Sequence, residues 1–269
     1  MKKKFSKSTI IGQVIIKTPF HRVIKVFSAA IIKIFLYLHS YIFTTRSKEM
    51  IYVISPFKTG TTFLSQVFFE KKVRHEPLLY LSIKNITKNF IVKKNNLLQL
   101  DVECNGLYAG NSKVLNDTSD NVKFIYVYRD FEPWATSFVN HFSELSKKVS
   151  YNWILRDHFD SILGCYVDRY LYVDDKEKCL IIMSLWEYWV STIEELLENN
   201  SEKLFVNVSS LDNNLHELED FTGFKCSDNN AWRRMNTTKS DIGVFDHIDQ
   251  ELVKAKTAEL CFKMFPSLK

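Results

Sequence analysis

Residues 50–63 read Met-Ile-Tyr-Val-Ile-Ser-Pro-Phe-Lys-Thr-Gly-Thr-Thr-Phe, and this stretch is the most informative part of the sequence. Its first part, up to Ser55, is rich in β-branched and aromatic residues, which is typical of a short strand. A turn follows, and residues 63–72 have helical character. A glycine-containing loop between a strand and a helix offers backbone N–H groups and the positive end of the helix to one anion. The stretch therefore predicts a phosphate-binding loop.

Three further strands are predicted downstream of this loop, at 97–102, 123–128 and 203–208. Segments of helical character lie between and after them, and they span Glu132 to Leu145, Asn152 to Leu171, Cys179 to Leu197 and Asp249 to Phe265. Strands that alternate with helices predict a three-layer α/β domain with a central, mainly parallel sheet. No internal repeat or linker divides residues 49–269, so we expect them to form a single domain.

The composition fits a packed domain in a reducing compartment. Of the 269 residues, 46% are hydrophobic and 25% are charged, with only 7 Gly and 5 Pro, which excludes a disordered or collagen-like chain. The five cysteines are odd in number and include no C-x-x-C pair, so a disulfide framework or a zinc site is not indicated. A net charge of +5 is too mild to indicate nucleic-acid binding.

Residues 1–48 form an appendage of a different character, because they contain ten Lys or Arg and no acidic residue. The run from Val26 to Phe43 approaches the length of a bilayer span, but Lys33 at its middle would cost about 2.5–3.5 kcal/mol there. On a helical wheel, Lys33 shares one narrow stripe with the neighbouring basic residues, and apolar residues fill the remainder. This pattern predicts a helix that lies on a membrane surface, within residues 8–44.

The alternative for this segment is a helix that packs on the protein's own core with its lysines directed outward. A cleaved signal peptide is disfavoured because no A-x-A-like site follows the run. The segment favours a membrane-associated cytoplasmic protein over a Golgi type II membrane protein.

A second motif begins where the strand at 123–128 ends. Arg129 is followed eight residues later, about two helical turns on, by Ser137, so a guanidinium and a hydroxyl could reach one phosphate. The first motif lacks the pattern G-x-x-x-x-G-K-[ST], and its Lys58 precedes the glycine, so an ATP or GTP loop is not indicated.

Both motifs resemble those of sulfotransferases that use 3′-phosphoadenosine 5′-phosphosulfate (PAPS), in particular the carbohydrate and bacterial members. K-T-G-T-T-F at 58–63 is similar to the loop P-K-S-G-T-T-W, and R-D-F-E-P-W-A-T-S at 129–137 is similar to R-D-P-R-D-x-A-x-S. The resemblance covers about Met50 to Asn236. It implies a P-loop nucleotide-binding-like fold, PAPS as co-substrate without a metal, and transfer of a sulfuryl group to a hydroxyl of a carbohydrate or glycolipid acceptor.

The resemblance also implies roles for individual residues. Lys58 would contact the sulfuryl and bridging oxygens, and Arg129 with Ser137 would bind the 3′-phosphate. The full set that it implies for PAPS binding is Lys58, Thr59, Gly60, Thr61, Thr62, Phe63, Arg129, Ser137, Arg234 and Lys239. In that set the Gly-Thr-Thr residues would hold the 5′-phosphate, the phenylalanine would stack on or near adenine, and the last two could equally form a solvated basic turn.

The general base is expected within Val73 to Leu79, which resembles the E-P-L stretch of carbohydrate sulfotransferases. Glu76 is the first candidate and His75 the second, with His141 and His158 in reserve. The alternative for Glu76 is a helix-end or turn carboxylate paired with Arg74. A zinc motif H-E-x-x-H is excluded locally because Leu79 stands where its second histidine would be.

Some positions depart from the family pattern. Phe131 and Glu132 stand where the family has Pro-Arg, residues 208–210 replace Tyr-Glu-Asp, and the C-terminal R-K-G loop of the cytosolic enzymes is absent. None of these removes a phosphate ligand. Two other functions stay open: a non-catalytic nucleotide-binding or scaffold protein that retains the phosphate loop, and a nucleotide kinase, which the missing Walker features disfavour.

Overall fold

The structure is a computed structural model, and it describes residues 27, 30–38, 49–68, 71–108, 112–131, 133–138, 183–187, 191, 202–209, 211 and 215–227. Some of the predicted features lie outside these residues. They are the helices at 152–171 and 249–265 and the candidate residues Arg234, Lys239, His141 and His158.

Within the described residues, five strands form one parallel sheet in the order β2-β3-β1-β4-β5. The strands are β1 Glu49–Ile54, β2 Val73–His75, β3 Val102–Cys104, β4 Asn121–Tyr128 and β5 Lys203–Asn207. The predicted α/β fold with a central parallel sheet is therefore confirmed.

Helices surround the sheet. The four with defined bounds are α1 Thr61–Val67, α2 Leu79–Lys84, α3 Lys88–Leu98 and α4 Leu215–Thr222. Phe27 and residues 30–38, 133–138 and 183–187 are also helical. We refer to Phe27 with residues 30–38 as the N-terminal helix and to residues 133–138 as the post-β4 helix. No helix in the described part of the chain is both long and apolar enough to cross a bilayer.

The sheet is buried on both faces. Tyr52 and Ile54 of β1 belong to one core cluster, and Ile51 and Val53 belong to a second cluster on the opposite face. Strands covered on both sides need near-continuous apolar runs rather than strict alternation. The sequence MIYVI of β1 meets this need, since all five of its residues are buried.

Two sequence predictions need correction here. The strand predicted at 97–102 is wrong for most of its length, because α3 continues to Leu98 and β3 begins only at Val102. The helix is fixed at its start by Thr87, whose side chain accepts a hydrogen bond of 3.3 Å from the backbone N–H of Phe90. Strand β2 was not predicted, since three residues are too few for an alternating pattern to be read.

The strand order places the chain's reversal between β1 and β4. After β1 the chain moves to β2 at one edge of the sheet, whereas after β4 it moves to β5 at the other edge. In open parallel sheets, ligands bind beyond the carboxyl ends of the strands at such a reversal. The loops that carry Lys58 and Arg129 leave β1 and β4 at this position.

Candidate functional site

The loop after β1 is held in shape by its own backbone and side chains. Both the backbone N–H and the hydroxyl of Thr59 donate to the carbonyl oxygen of Pro56, at 3.3 and 2.7 Å. Thr59 is fully buried, so its hydroxyl serves the loop itself. Lys58 has a φ of 68°, in the left-handed region that non-glycine residues rarely occupy. This loop therefore holds its lysine in a backbone conformation that the surroundings must stabilise.

Gly60 joins the loop to α1, and the space around it requires a glycine. Its φ is 114°, and a Cβ atom added there would lie 2.8 Å from Cγ2 of Val208, which follows β5. The backbone of the loop consequently packs directly against the residue after β5.

We expect Gly60→Ala to destabilise the fold by about 2–4 kcal/mol, from backbone strain plus steric overlap. Val208→Ala in the same chain should recover only part of this loss, because it removes the overlap and leaves the strained φ. Thermal or urea unfolding of the single and double variants measures both terms. An unchanged midpoint for Gly60→Ala would contradict the geometry of the loop.

Lys58 is half-buried and lies near two other ionisable groups of the site, Glu76 and Arg129. Burial lowers the pKa of its ammonium, the nearby Glu76 carboxylate opposes this shift, and the Arg129 guanidinium adds to it. Groups act on one another's pKa in this way only when they are close in space. The structure therefore brings the ends of β1, β2 and β4 together around Lys58.

Glu76 directly follows β2 and faces the same site. Its backbone has a φ of 45°, and its N–H donates to the carbonyl oxygen of Cys104 at 2.9 Å, which fixes it beside β3. Only 15% of its side chain is exposed. Burial raises the pKa of Glu76 to about 7, against the opposing effect of the Lys58 ammonium. Near neutral pH this carboxyl group therefore exists in both protonation states.

The alternative role for Glu76, a surface pairing with Arg74, does not match these surroundings. Arg74 is exposed, and its guanidinium donates to the carbonyl oxygen of Val73 at 3.4 Å. The cation that acts on Glu76 is Lys58.

His75 contacts the two threonines that follow Gly60 at the start of α1. Its Nε2 atom lies 3.1 Å from the hydroxyl of Thr61 and 3.0 Å from the hydroxyl of Thr62. Burial, together with the charge of Lys58, lowers the pKa of His75 to about 4. The imidazole is therefore neutral at pH 7, so the 3.8 Å between its Nε2 and the Glu76 carboxylate is not an ion pair. Through its contacts with Thr61 and Thr62, His75 connects the end of β2 to the start of α1.

Arg129 follows β4 and is half-buried. Burial lowers the pKa of its guanidinium, and the adjacent Asp130 opposes this shift. The post-β4 helix is hydrogen-bonded to the loop after β1, because the indole N–H of Trp134 donates to the carbonyl oxygen of Phe57 at 2.6 Å. Ser137 lies on this helix, half-buried. Its predicted contribution to a 3′-phosphate site is still a prediction.

Phe63 lies in the first turn of α1, where it is partly buried and packs, like Val208, against the second core cluster. Its predicted stacking on adenine is still a prediction. Gly60, Thr61 and Thr62 form the junction of loop and helix, where the N–H groups of a first helical turn have no intrahelical partner.

A buried polar network behind the loop escaped the sequence analysis. Lys94 of α3 forms an ion pair with Glu103 of β3, and both side chains are fully buried. The Lys94 ammonium also donates to the hydroxyl of Tyr108 at 2.6 Å, and the amide of Asn105 donates to Glu103 at 2.9 Å. The one available signal was a glutamate in the middle of the short apolar strand β3.

The described part of the site contains no cluster of metal ligands. Within the ranges that the structure describes, no three or more His, Cys, Asp or Glu side chains are grouped so that they could hold a metal ion.

No family model matches the chain, and no curated protein matches it either. One solved structure to which the chain is similar is the "Sulfotransferase Domain from the Synechococcus PCC 7002 Olefin Synthase", at 13% identity and a TM-score of 0.40. The match covers 82% of this chain and 95% of that domain. A likeness at this level leaves the chemistry to be argued from the site itself.

Proposed function

We propose that the protein is a sulfotransferase that moves a sulfuryl group from PAPS to a hydroxyl group of a carbohydrate or glycolipid. The single observation that supports this most strongly is the cluster of Lys58, Glu76 and Arg129. The two motifs are far apart in the sequence, yet Lys58 of the first is close enough to Arg129 of the second, and to the buried carboxyl group of Glu76, for both to affect its pKa.

The cations suit a doubly phosphorylated donor. Burial lowers the pKa of both Lys58 and Arg129, which means that it disfavours their charged forms. The charge of Arg129 lowers the pKa of Lys58 further. The carboxylates of Glu76 and Asp130 oppose the lowered pKa values of Lys58 and Arg129 without cancelling the shifts, so a further anion bound beside the two cations would stabilise them. A nucleotide with phosphates at both its 5′ and 3′ positions supplies negative charge for both.

The proposed reaction is an in-line displacement at sulfur. The acceptor oxygen forms a bond to sulfur while the bond from sulfur to the bridging oxygen of the 5′-phosphate breaks, which leaves 3′-phosphoadenosine 5′-phosphate (PAP). Glu76, as carboxylate, takes the proton of the acceptor hydroxyl. Lys58 stabilises the negative charge that develops on the leaving oxygen.

The titration behaviour favours Glu76 over His75 as the base. A general base works best when its pKa lies near the working pH. The pKa of Glu76 is raised to about 7, whereas that of His75 is lowered to about 4, and the His75 Nε2 atom is engaged by two threonine hydroxyls. We therefore assign His75 to positioning the phosphate loop.

Calorimetry with PAP and a transfer assay with labelled donor on a panel of glycans and glycolipids test the proposal together. Binding of PAP with formation of a labelled product supports it. PAP binding without any product would support the non-catalytic scaffold instead. A requirement for ATP and Mg²⁺ would support the nucleotide kinase.

Glu76→Gln is expected to reduce kcat by about 10²–10³-fold and to change PAP affinity by less than about threefold, because the amide cannot accept the proton. The matched control is Glu202→Gln, which makes the same change at an exposed position. Full turnover in Glu76→Gln would remove Glu76 from the role of base.

The same carboxyl group makes both activity and stability depend on pH. Activity needs the carboxylate, so kcat should rise with pH and level off above about 7. Stability should change in the opposite direction, because a raised pKa means that the folded state binds the proton more tightly than the unfolded state. The contribution of Glu76 to stability therefore falls as pH increases from about 4.5 to about 7. Glu76→Gln should accordingly raise Tm by a few degrees at about pH 8 and hardly at all at about pH 4.

A further inference from the structure

The N-terminal helix carries an exposed apolar surface with a defined position on the molecule. Phe27 is 70% exposed, and the side chains of Ile31, Ile34, Phe35 and Leu38 are each between 57% and 59% exposed. At 3.6 residues per turn these five side chains fall within about 100° of arc. We refer to them as the apolar stripe.

The opposite side of this helix is fixed to the protein body. Leu36 is buried in the core cluster, and Ile32 packs against the same cluster. The ammonium of Lys93 on α3 lies 3.8 Å from the ring centroid of Tyr37. Because the helix is held from one side, its apolar stripe is directed away from the body.

The stripe differs from the rest of the described surface. Across the described ranges, all the exposed large hydrophobic side chains belong to this one helix, namely the five of the stripe and Tyr37. Single apolar residues scattered over a surface need no explanation, but a contiguous apolar patch marks a surface that binds something.

The charge of the surrounding sequence favours one binding partner for the apolar stripe. Residues 1–48 contain ten Lys or Arg and no acidic residue. A second copy of this chain would bring two such basic segments together and repel. An anionic lipid surface attracts them, and it also accepts an apolar helix face at the depth of the headgroups. Lys33, on the side away from the stripe, is free of the bilayer core in this arrangement, and its ammonium lies 3.5 Å from the amide oxygen of Asn85.

We infer that the apolar stripe docks the protein on an anionic membrane surface, with the helix lying parallel to the bilayer and the α/β domain on its aqueous side. This inference does not depend on the proposed reaction. The sequence left two alternatives for this helix, packing on the core or lying on a membrane surface. The inference combines them, because one face of the helix packs on the core and the other face contacts lipid.

Flotation of the full-length protein with vesicles tests the inference. The probe is phosphatidylcholine vesicles with or without about 30% phosphatidylserine. Wild-type protein should float with the anionic vesicles, and its binding should decrease several-fold at about 0.5 M salt, where surface charges are screened. Ile34→Glu with Leu38→Glu should reduce the partition coefficient at least tenfold.

The matched control is Asn89→Glu with Gln99→Glu, which adds the same two negative charges at exposed positions of α3 and its C-terminal cap. This variant should bind vesicles within about twofold of wild type, since its apolar stripe is intact. Equal Tm values for all three proteins exclude unfolding as the cause of any difference. An equal loss in both double variants, or a wild type that does not float, would overturn the inference. A wild-type dimer that Ile34→Glu and Leu38→Glu dissociate would assign the stripe to a second copy of the chain instead.

Discussion

Lys58→Ala is expected to reduce kcat/KM for sulfuryl transfer by about 10³-fold, the largest effect of any single substitution in the site. The lysine provides a half-buried positive charge, and its attraction to a negative charge is stronger there than at an exposed position. Its removal leaves the leaving oxygen without the group that stabilises its charge. Steady-state kinetics with labelled PAPS measures the loss.

Two further variants separate the charge of Lys58 from other properties. Lys58→Arg should retain part of the activity, because it preserves the cation while changing its shape and position. Lys72→Ala removes a lysine at an exposed position and should leave kinetics unchanged. PAP affinity of Lys58→Ala should fall far less than kcat, since the charge is needed most in the transition state. Unaltered kcat/KM in Lys58→Ala would show that Lys58 takes no part in the transfer and would contradict the proposed site.

Arg129→Ala is expected to reduce affinity for PAP by about 10²–10³-fold, because a desolvated guanidinium that pairs with a phosphate is costly to lose. The loss should depend on the 3′-phosphate. Calorimetry with PAP and with adenosine 5′-monophosphate measures this, since the two ligands differ in that group alone.

The ratio of the two affinities makes this test specific. Wild type should prefer PAP strongly, and Arg129→Ala should bind the two nucleotides with nearly equal affinity. Arg129→Lys should recover little, because an ammonium cannot bind a phosphate in two-pronged fashion. Arg74→Ala removes an exposed arginine of β2 whose guanidinium donates to the backbone of Val73; it is the control and should keep the wild-type preference. If Arg129→Ala retains that preference, another group reads the 3′-phosphate.

Local sequence was sufficient where one segment contains its own signal. Strand β1, the glycine of the loop, and strands β4 and β5 could be predicted, because apolar runs and turn residues act within a few positions of each other. The same reasoning failed for β2 and β3. Each has only three residues, and the helix α3 that precedes β3 was read in part as a strand because its Leu97 and Leu98 are apolar in either structure.

The sequence alone therefore determined the type of fold and the position of the glycine-containing loop between β1 and α1, and it supplied the candidate residues for the proposed chemistry. Only the tertiary structure decided which of these residues meet. Lys58, Glu76 and Arg129 leave three different strands, and their distance depends on strand order, which no local pattern encodes. The raised pKa of Glu76 and the lowered pKa of His75 arise in the same way. Burial raises the pKa of Glu76 and lowers that of His75, while the Lys58 charge opposes the first shift and adds to the second. Neither the burial nor the nearby charge exists until segments that are distant in the chain have packed together.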